Sequence, residues 1–163
     1  MRISSLALLC VLAACQANGP VQMTDTDRAQ IVQSIEGQAE VWATIANGLD
    51  AAPLANLVTE DVEVVDFMNH YIGVDEYVEG AQGLFSNFQA WTTAWDAIDI
   101  EVLSQDAAVL EGRFTVRRQR MDGRWQESSP YIYMTAIFRL VGEEWKITRA
   151  HLSGSLRVLE DAG

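Results

Sequence analysis

The sequence predicts an α+β domain in which about three N-terminal helices lie on one face of a curved antiparallel sheet. Three observations predict it. Apolar residues recur at helical spacing through the first half of the chain. Long alternating runs rich in β-branched and aromatic residues fill the second half. Asp122-Gly123 and Gly142 break those runs at points where tight hairpins would join them.

The first fourteen residues stand apart. Arg2 is their single charge, Ile3 to Ala14 is apolar, and small residues precede Cys15. The run is too short to span a bilayer and fits the core of a secretory signal peptide. Residues 12–15, Leu-Ala-Ala-Cys, resemble the bacterial lipobox. That resemblance implies cleavage before Cys15, lipidation of its thiol, and an exported domain anchored to a membrane. Gln16 after the cysteine implies the periplasmic side of the outer membrane if the host is Gram-negative. Cys10 leaves with the leader, so the mature chain has no thiol for nucleophilic catalysis or for metal ligation. Residues 15–24 then form a linker with Gly19-Pro20, residues 25–156 the domain, and residues 157–163 a tail.

The formal net charge of −12 is poorly suited to nucleic acid. It is also uneven. Residues 15–112 hold Arg28 as their only base against seventeen acids, while residues 113–163 hold nine bases against six acids. An acidic helical layer over strands whose arginines pair across the sheet accounts for this. An anion site on those strands is the sharper alternative.

Element by element, Thr24 offers a hydroxyl cap with acids in the first turn, and Ile31, Ile35, Ala39, Trp42, Ala46 and Leu49 follow on one helical face up to Asn47-Gly48. Asp50 can cap a second, short helix through Leu54, Leu57 and Val58. Residues 61–67 switch to a short strand. A third helix is expected from about Val74 to Trp91, with Tyr77, Ala81, Leu84, Phe88 and Trp91 on one face. Strands are expected over about 97–104, 107–120, 124–140 and 144–153, with a bulge or bend at Ser128-Ser129-Pro130.

The order of "LVTEDVEVVDF", "GVDEYVEG" and the terminal "DGRW", "AIFRL" and "EEWKITRAHLSG" resembles the nuclear transport factor 2-like superfamily, particularly its SnoaL-like and ketosteroid-isomerase-like branches. The resemblance spans nearly all of residues 25–156. It implies a cone: a bent sheet wrapped around the helices, with an apolar cavity open at one end. It also implies that Asp66 stands where the isomerases carry their general base. The isomerases' oxyanion-stabilising tyrosine falls on Trp42, and its partner acid falls near Ala136, which has no polar group. Those departures weigh against steroid-type isomerisation.

The candidate site residues follow from this frame. Asp66, in an apolar cavity, would have a raised pKa suited to moving a proton, with His70 four residues on, or His151, as partner. Trp42, Phe67, Phe88 and Trp91 are candidate walls. Arg113 and Arg117 on one strand, Tyr131 and Tyr133 on the next, and Arg149 on the last could bind a carboxylate-bearing or hydroxylated ligand if their rows face inward. If the rows face outward, they form a solvated or dimerising surface. In the last strand, strict alternation puts Trp145, Ile147, Arg149 and His151 on one face. No cofactor is implied and no metal-ligand spacing is present. With no complete catalytic set, a small-ligand binding or accessory domain is favoured over an acid/base enzyme.

Overall fold

The computed structural model describes residues 23–67 and 69–159. The apolar leader, Cys10, Cys15, most of the linker and the end of the tail lie outside the described residues.

Helix α1 runs Asp25–Gly48 and opens on a reciprocal capping box. The Asp27 amide donates to the Thr24 hydroxyl at 3.1 Å, and the Thr24 amide donates to the Asp27 carboxylate at 2.9 Å. The helix stops where Leu49 takes a left-handed conformation, φ 57°. The expected second helix is a 3₁₀ turn, Ala52–Asn56, because Pro53 admits only a tight start and Val58 already begins a strand. Helix α2 is Val74–Phe85. The helix expected to reach Trp91 therefore ends six residues early. Its C-terminal carbonyls are taken up by Ser86 and Asn87, and Phe88 and Trp91 lie on a strand instead.

Six strands follow one order across the sheet, β2-β1-β6-β5-β4-β3. They are β1 Val58–Asp66, β2 Asn69–Ile72, β3 Phe88–Val102, β4 Ala107–Arg120, β5 Trp125–Val141 and β6 Glu144–Val158. Among the described residues only the β1–β6 pairing is parallel. Strand β2 was not expected; it forms a hairpin with β1, and His70 pairs with Val65. The long strands bend at bulges, which is what curves the sheet around α1 and α2. One lies at Ser128–Ile132, where β5 loses register with both neighbours as the sequence predicts. Gly154 faces Ile132 there at φ 153°, and a Cβ would come within 2.9 Å of the Tyr131 carbonyl. A side chain is excluded at that position.

A second bulge changes how the last strand is read. Ile137 pairs with Arg149 while Phe138 pairs with Ile147, so Thr148 is an extra residue on β6. Trp145, Ile147 and Thr148 are buried, and the alternation then restarts with Ala150 and Leu152 inside. Arg149 and His151 consequently point outward, opposite to strict alternation.

The core between helices and sheet is closed by Ile35, Val62, Val64, Leu110, Phe114, Ile132 and Phe138, all almost wholly buried. Edge strand β3 is shielded by α1. The Thr93 amide donates to Asn47 Oδ1 at 2.5 Å, and Asn47 Nδ2 donates back to the Thr93 carbonyl at 3.3 Å. Both backbone groups face off the sheet edge, and Thr93 is buried. Asn47→Ala should therefore cost about 2 kcal/mol, the penalty for stranding a buried donor and acceptor. Urea unfolding of the variant measures this, with an unchanged midpoint counting against it.

Candidate functional site

The inner face of the sheet and the two helices enclose one apolar cavity, about 70 Å³ of free space. Trp42 and Ala46 of α1, Tyr77, Ala81, Leu84 and Phe85 of α2, and Trp91, Phe114, Val116 and Ile132 of the sheet supply most of its wall. Four polar side chains reach it: Asp66, Tyr77, Thr93 and Arg118.

Asp66 is the last residue of β1, where the alternation of Val62 and Val64 into the core carries it inward. Asn69, its partner across the hairpin, donates to Asp66 Oδ1 at 3.0 Å. Burial raises the carboxyl above its usual range, and the bonds from Asn69 oppose that shift without cancelling it. Phe67, next in sequence, lines the same cavity at φ 33°, a left-handed conformation uncommon for a bulky residue. It is 47% exposed and so forms part of the rim.

Tyr77 is buried, and its hydroxyl oxygen accepts from Trp42 Nε1 at 3.3 Å. Burial, joined by the Asp66 charge, pushes its pKa to about 12, while the Trp42 bond opposes the shift. The phenol therefore keeps its proton, and that proton has no acceptor among the described residues. A tyrosine hydroxyl thus reaches the cavity from α2. Trp42 occupies the expected position but serves Tyr77.

Arg118 follows Phe114 and Val116 on the inward face of β4. Its guanidinium carbon lies 4.2 Å from the Phe88 ring centre and 4.8 Å from that of Trp91. Burial, with Arg120 nearby, lowers its pKa to about 10, so it remains charged at neutral pH. The Thr93 hydroxyl accepts from the indole N–H of Trp91 at 2.8 Å and keeps its own proton to donate.

The remaining candidates separate cleanly. Trp42, Phe67 and Trp91 line the cavity with Asp66. Phe88 is buried beside it, edge-on to Trp91 at 5.2 Å and under Arg118. His70 is not brought to Asp66. It shares the outer face with Val65, and its Nε2 lies 2.7 Å from Glu63 Oε1. Arg149 Nε meets Glu63 Oε2 at 2.9 Å on the same face. His151 is exposed there too, across from Val65, because of the Thr148 bulge. The arginine and tyrosine rows also face outward: Arg113 pairs with Asp96 and lies over Tyr131, Arg117 stacks on Trp125, and Tyr133 is exposed. Their even spacing is that of a solvated sheet face. Sequence reasoning missed Tyr77 and Arg118 as polar members of the cavity. The available signal was an arginine in phase with Phe114 and Val116 on an apolar row. Among the described residues no cluster of three or more metal-ligating side chains occurs.

A family model described as "SnoaL-like domain" matches residues 35–157. A protein of Novosphingobium aromaticivorans provisionally named a scytalone dehydratase is similar in structure, with a TM-score of 0.77 and 18% identity over 84% of this chain and 93% of its own. A hexachlorocyclohexane dehydrochlorinase of Novosphingobium barchaimii gives 0.71 and 15%, over 85% and 96%. A nuclear transport factor 2-like superfamily protein of Salmonella enterica gives 0.73 and 19%, over 83% and 99%. At these identities the likeness is one of fold. No curated protein matches the chain.

Proposed function

The chain belongs to the SnoaL-like domain family, and from that premise we propose that its cone binds a small, mainly apolar molecule with one carbonyl-type oxygen, and that Asp66 takes a proton from a carbon of it. The observation that carries this is a single one. The Asp66 carboxylate and the Tyr77 hydroxyl open into the same apolar cavity, near enough that the charge of one raises the pKa of the other.

In that arrangement Asp66 is the base. Burial makes its carboxylate more basic than a solvated one, as a proton acceptor needs. Charge developing on the ligand oxygen meets the Tyr77 O–H, which the Trp42 N–H polarises from behind. The protonated Asp66 then returns the proton to a carbon or to a leaving group. The names dehydratase and dehydrochlorinase, carried by two of the similar structures, describe eliminations, which also begin at an acidic carbon. The cavity is well below the roughly 300–1,000 Å³ of drug-sized sites, so a compact ring or branched chain is the fitting ligand. Protein-dependent deuterium uptake at the α-carbons of cyclohexanone in D₂O tests the reading. Uptake no faster than in Asp66→Asn would refute it.

We further propose that Cys15, at the end of a stretch that resembles a lipobox, is lipidated and tethers this domain to a membrane surface. No helix among the described residues is long and apolar enough to cross a membrane. Cys15→Ala should move the protein from the detergent phase to the aqueous phase on partitioning, with loss of metabolic palmitate labelling. Labelling that persists in the variant argues against the anchor.

A further inference from the structure

Arg118 is a cation inside the cavity without a counter-charge among the described residues. Its Nε donates to Gln126 Oε1 at 2.9 Å, and its terminal Nη atoms have no hydrogen-bond partner among the described residues. No carboxylate lies within ion-pair distance of it among those residues, and Asp66, the one carboxylate in the cavity wall, makes no ion pair with it. By contrast, Arg113, Arg124, Arg149 and Arg157 are each joined to an acid on the outer surface or in a turn. A half-buried guanidinium pays for desolvation, and the faces of Phe88 and Trp91 return only part of it. Those two rings and Gln126 fix the plane of the fork and leave its outer edge unused.

We propose that Arg118 is the anion-recognising residue of the cone, and that its ligand is a small apolar carboxylate seated on the two Nη atoms, with its hydrocarbon part against Trp42, Phe85, Trp91 and Phe114. The fork of two parallel N–H groups matches the two coplanar oxygens of a carboxylate. A phosphate would bring further oxygens that need donors, and beside Arg118 the Trp91 N–H is already given to the Thr93 hydroxyl, which leaves the Thr93 O–H as the remaining donor there. The small free volume excludes a long or branched headgroup. This inference rests on the ligand-binding half of the proposed function and is independent of proton transfer by Asp66.

Calorimetric titration of the full domain with benzoate and with its neutral isostere benzamide tests it. Benzoate should bind about tenfold or more tightly than benzamide to the wild-type protein, and Arg118→Gln should bring the ratio to about one. Should that variant not fold, the wild type still decides: the Arg118 guanidinium ¹⁵N resonances shift with benzoate and stay with benzamide. Equal affinities, no binding of benzoate at millimolar concentration, or a preference that survives Arg118→Gln would each overturn the assignment. Asp66→Asn removes a negative charge from the same cavity, so benzoate should bind this variant at least as tightly as the wild type if Arg118 is the source of the preference. A failure of deuterium exchange in the earlier experiment therefore leaves this result standing, and the reverse also holds.

Discussion

Asp66→Asn should slow proton transfer by about 10²–10⁴-fold while making the folded domain more stable at neutral pH. The two effects share one cause. Burial raises the folded-state pKa of Asp66 above its ordinary 3.8, so the folded protein holds this proton more tightly than the unfolded chain does. Below about 3.8 the carboxyl is protonated in both states and carries no penalty. As pH rises from there through the raised folded-state value, stability is lost, and above that value the loss is constant. An uncharged asparagine never incurs it. The stability difference between variant and wild type should therefore be small at low pH and grow towards neutrality, with the other titrating groups cancelling. Denaturant midpoints of the two proteins measured as a function of pH show this directly; parallel curves would mean that Asp66 is solvated and unsuited to the role of base.

Phe114→Ala should cost about 3–5 kcal/mol, the largest stability loss expected from a single truncation in this domain. Phe114 is 2% exposed and sits edge-on to Trp42 at 5.3 Å and to Trp95 at 5.0 Å. Trp95 is in turn held by its indole N–H to the Ala39 carbonyl at 3.0 Å. Removing the ring takes the central member out of an aromatic cluster that joins α1 to β3 and β4, and adds the vacated space to the ligand cavity. The melting temperature should fall by roughly 10–20 °C. A fall of only a few degrees would mean that the tryptophans collapse into the gap.

Much of this architecture is legible from residue order. The Thr24 cap, the Gly123 and Gly142 turns and the bend at Ser128–Pro130 each depend on local chemistry, and local chemistry is written in the sequence. Strand β2 is not legible, because Asn69–Ile72 is short and half polar and exists only by pairing with β1. Within the site, Asp66 and the aromatic walls follow from the family resemblance and the alternation of β1. Tyr77 hides among the apolar positions of α2, where a tyrosine looks like core. Arg118 hides in a run of arginines whose other members face solvent. Neither His70 nor His151 is brought to Asp66, for a common reason: sequence spacing says how far apart two residues are along a strand, but the face each one occupies is set by pairing and bulges.

The extra residue at Thr148 has an evolutionary consequence. Every side chain of β6 beyond that point owes its orientation to the bulge that absorbs this residue: counted from the inward Ile147, loss of Thr148 would leave Arg149 outside and Ala150 inside, so the strand keeps its two faces with or without the extra residue. Only if Thr148 were paired in plain register and not bulged would Ala150 and Leu152 leave the cone and Arg149 and His151 turn into it. The bulge thus lets this strand gain or lose one residue there while the cavity keeps its apolar wall, a tolerance that a comparison of site residues alone would not reveal.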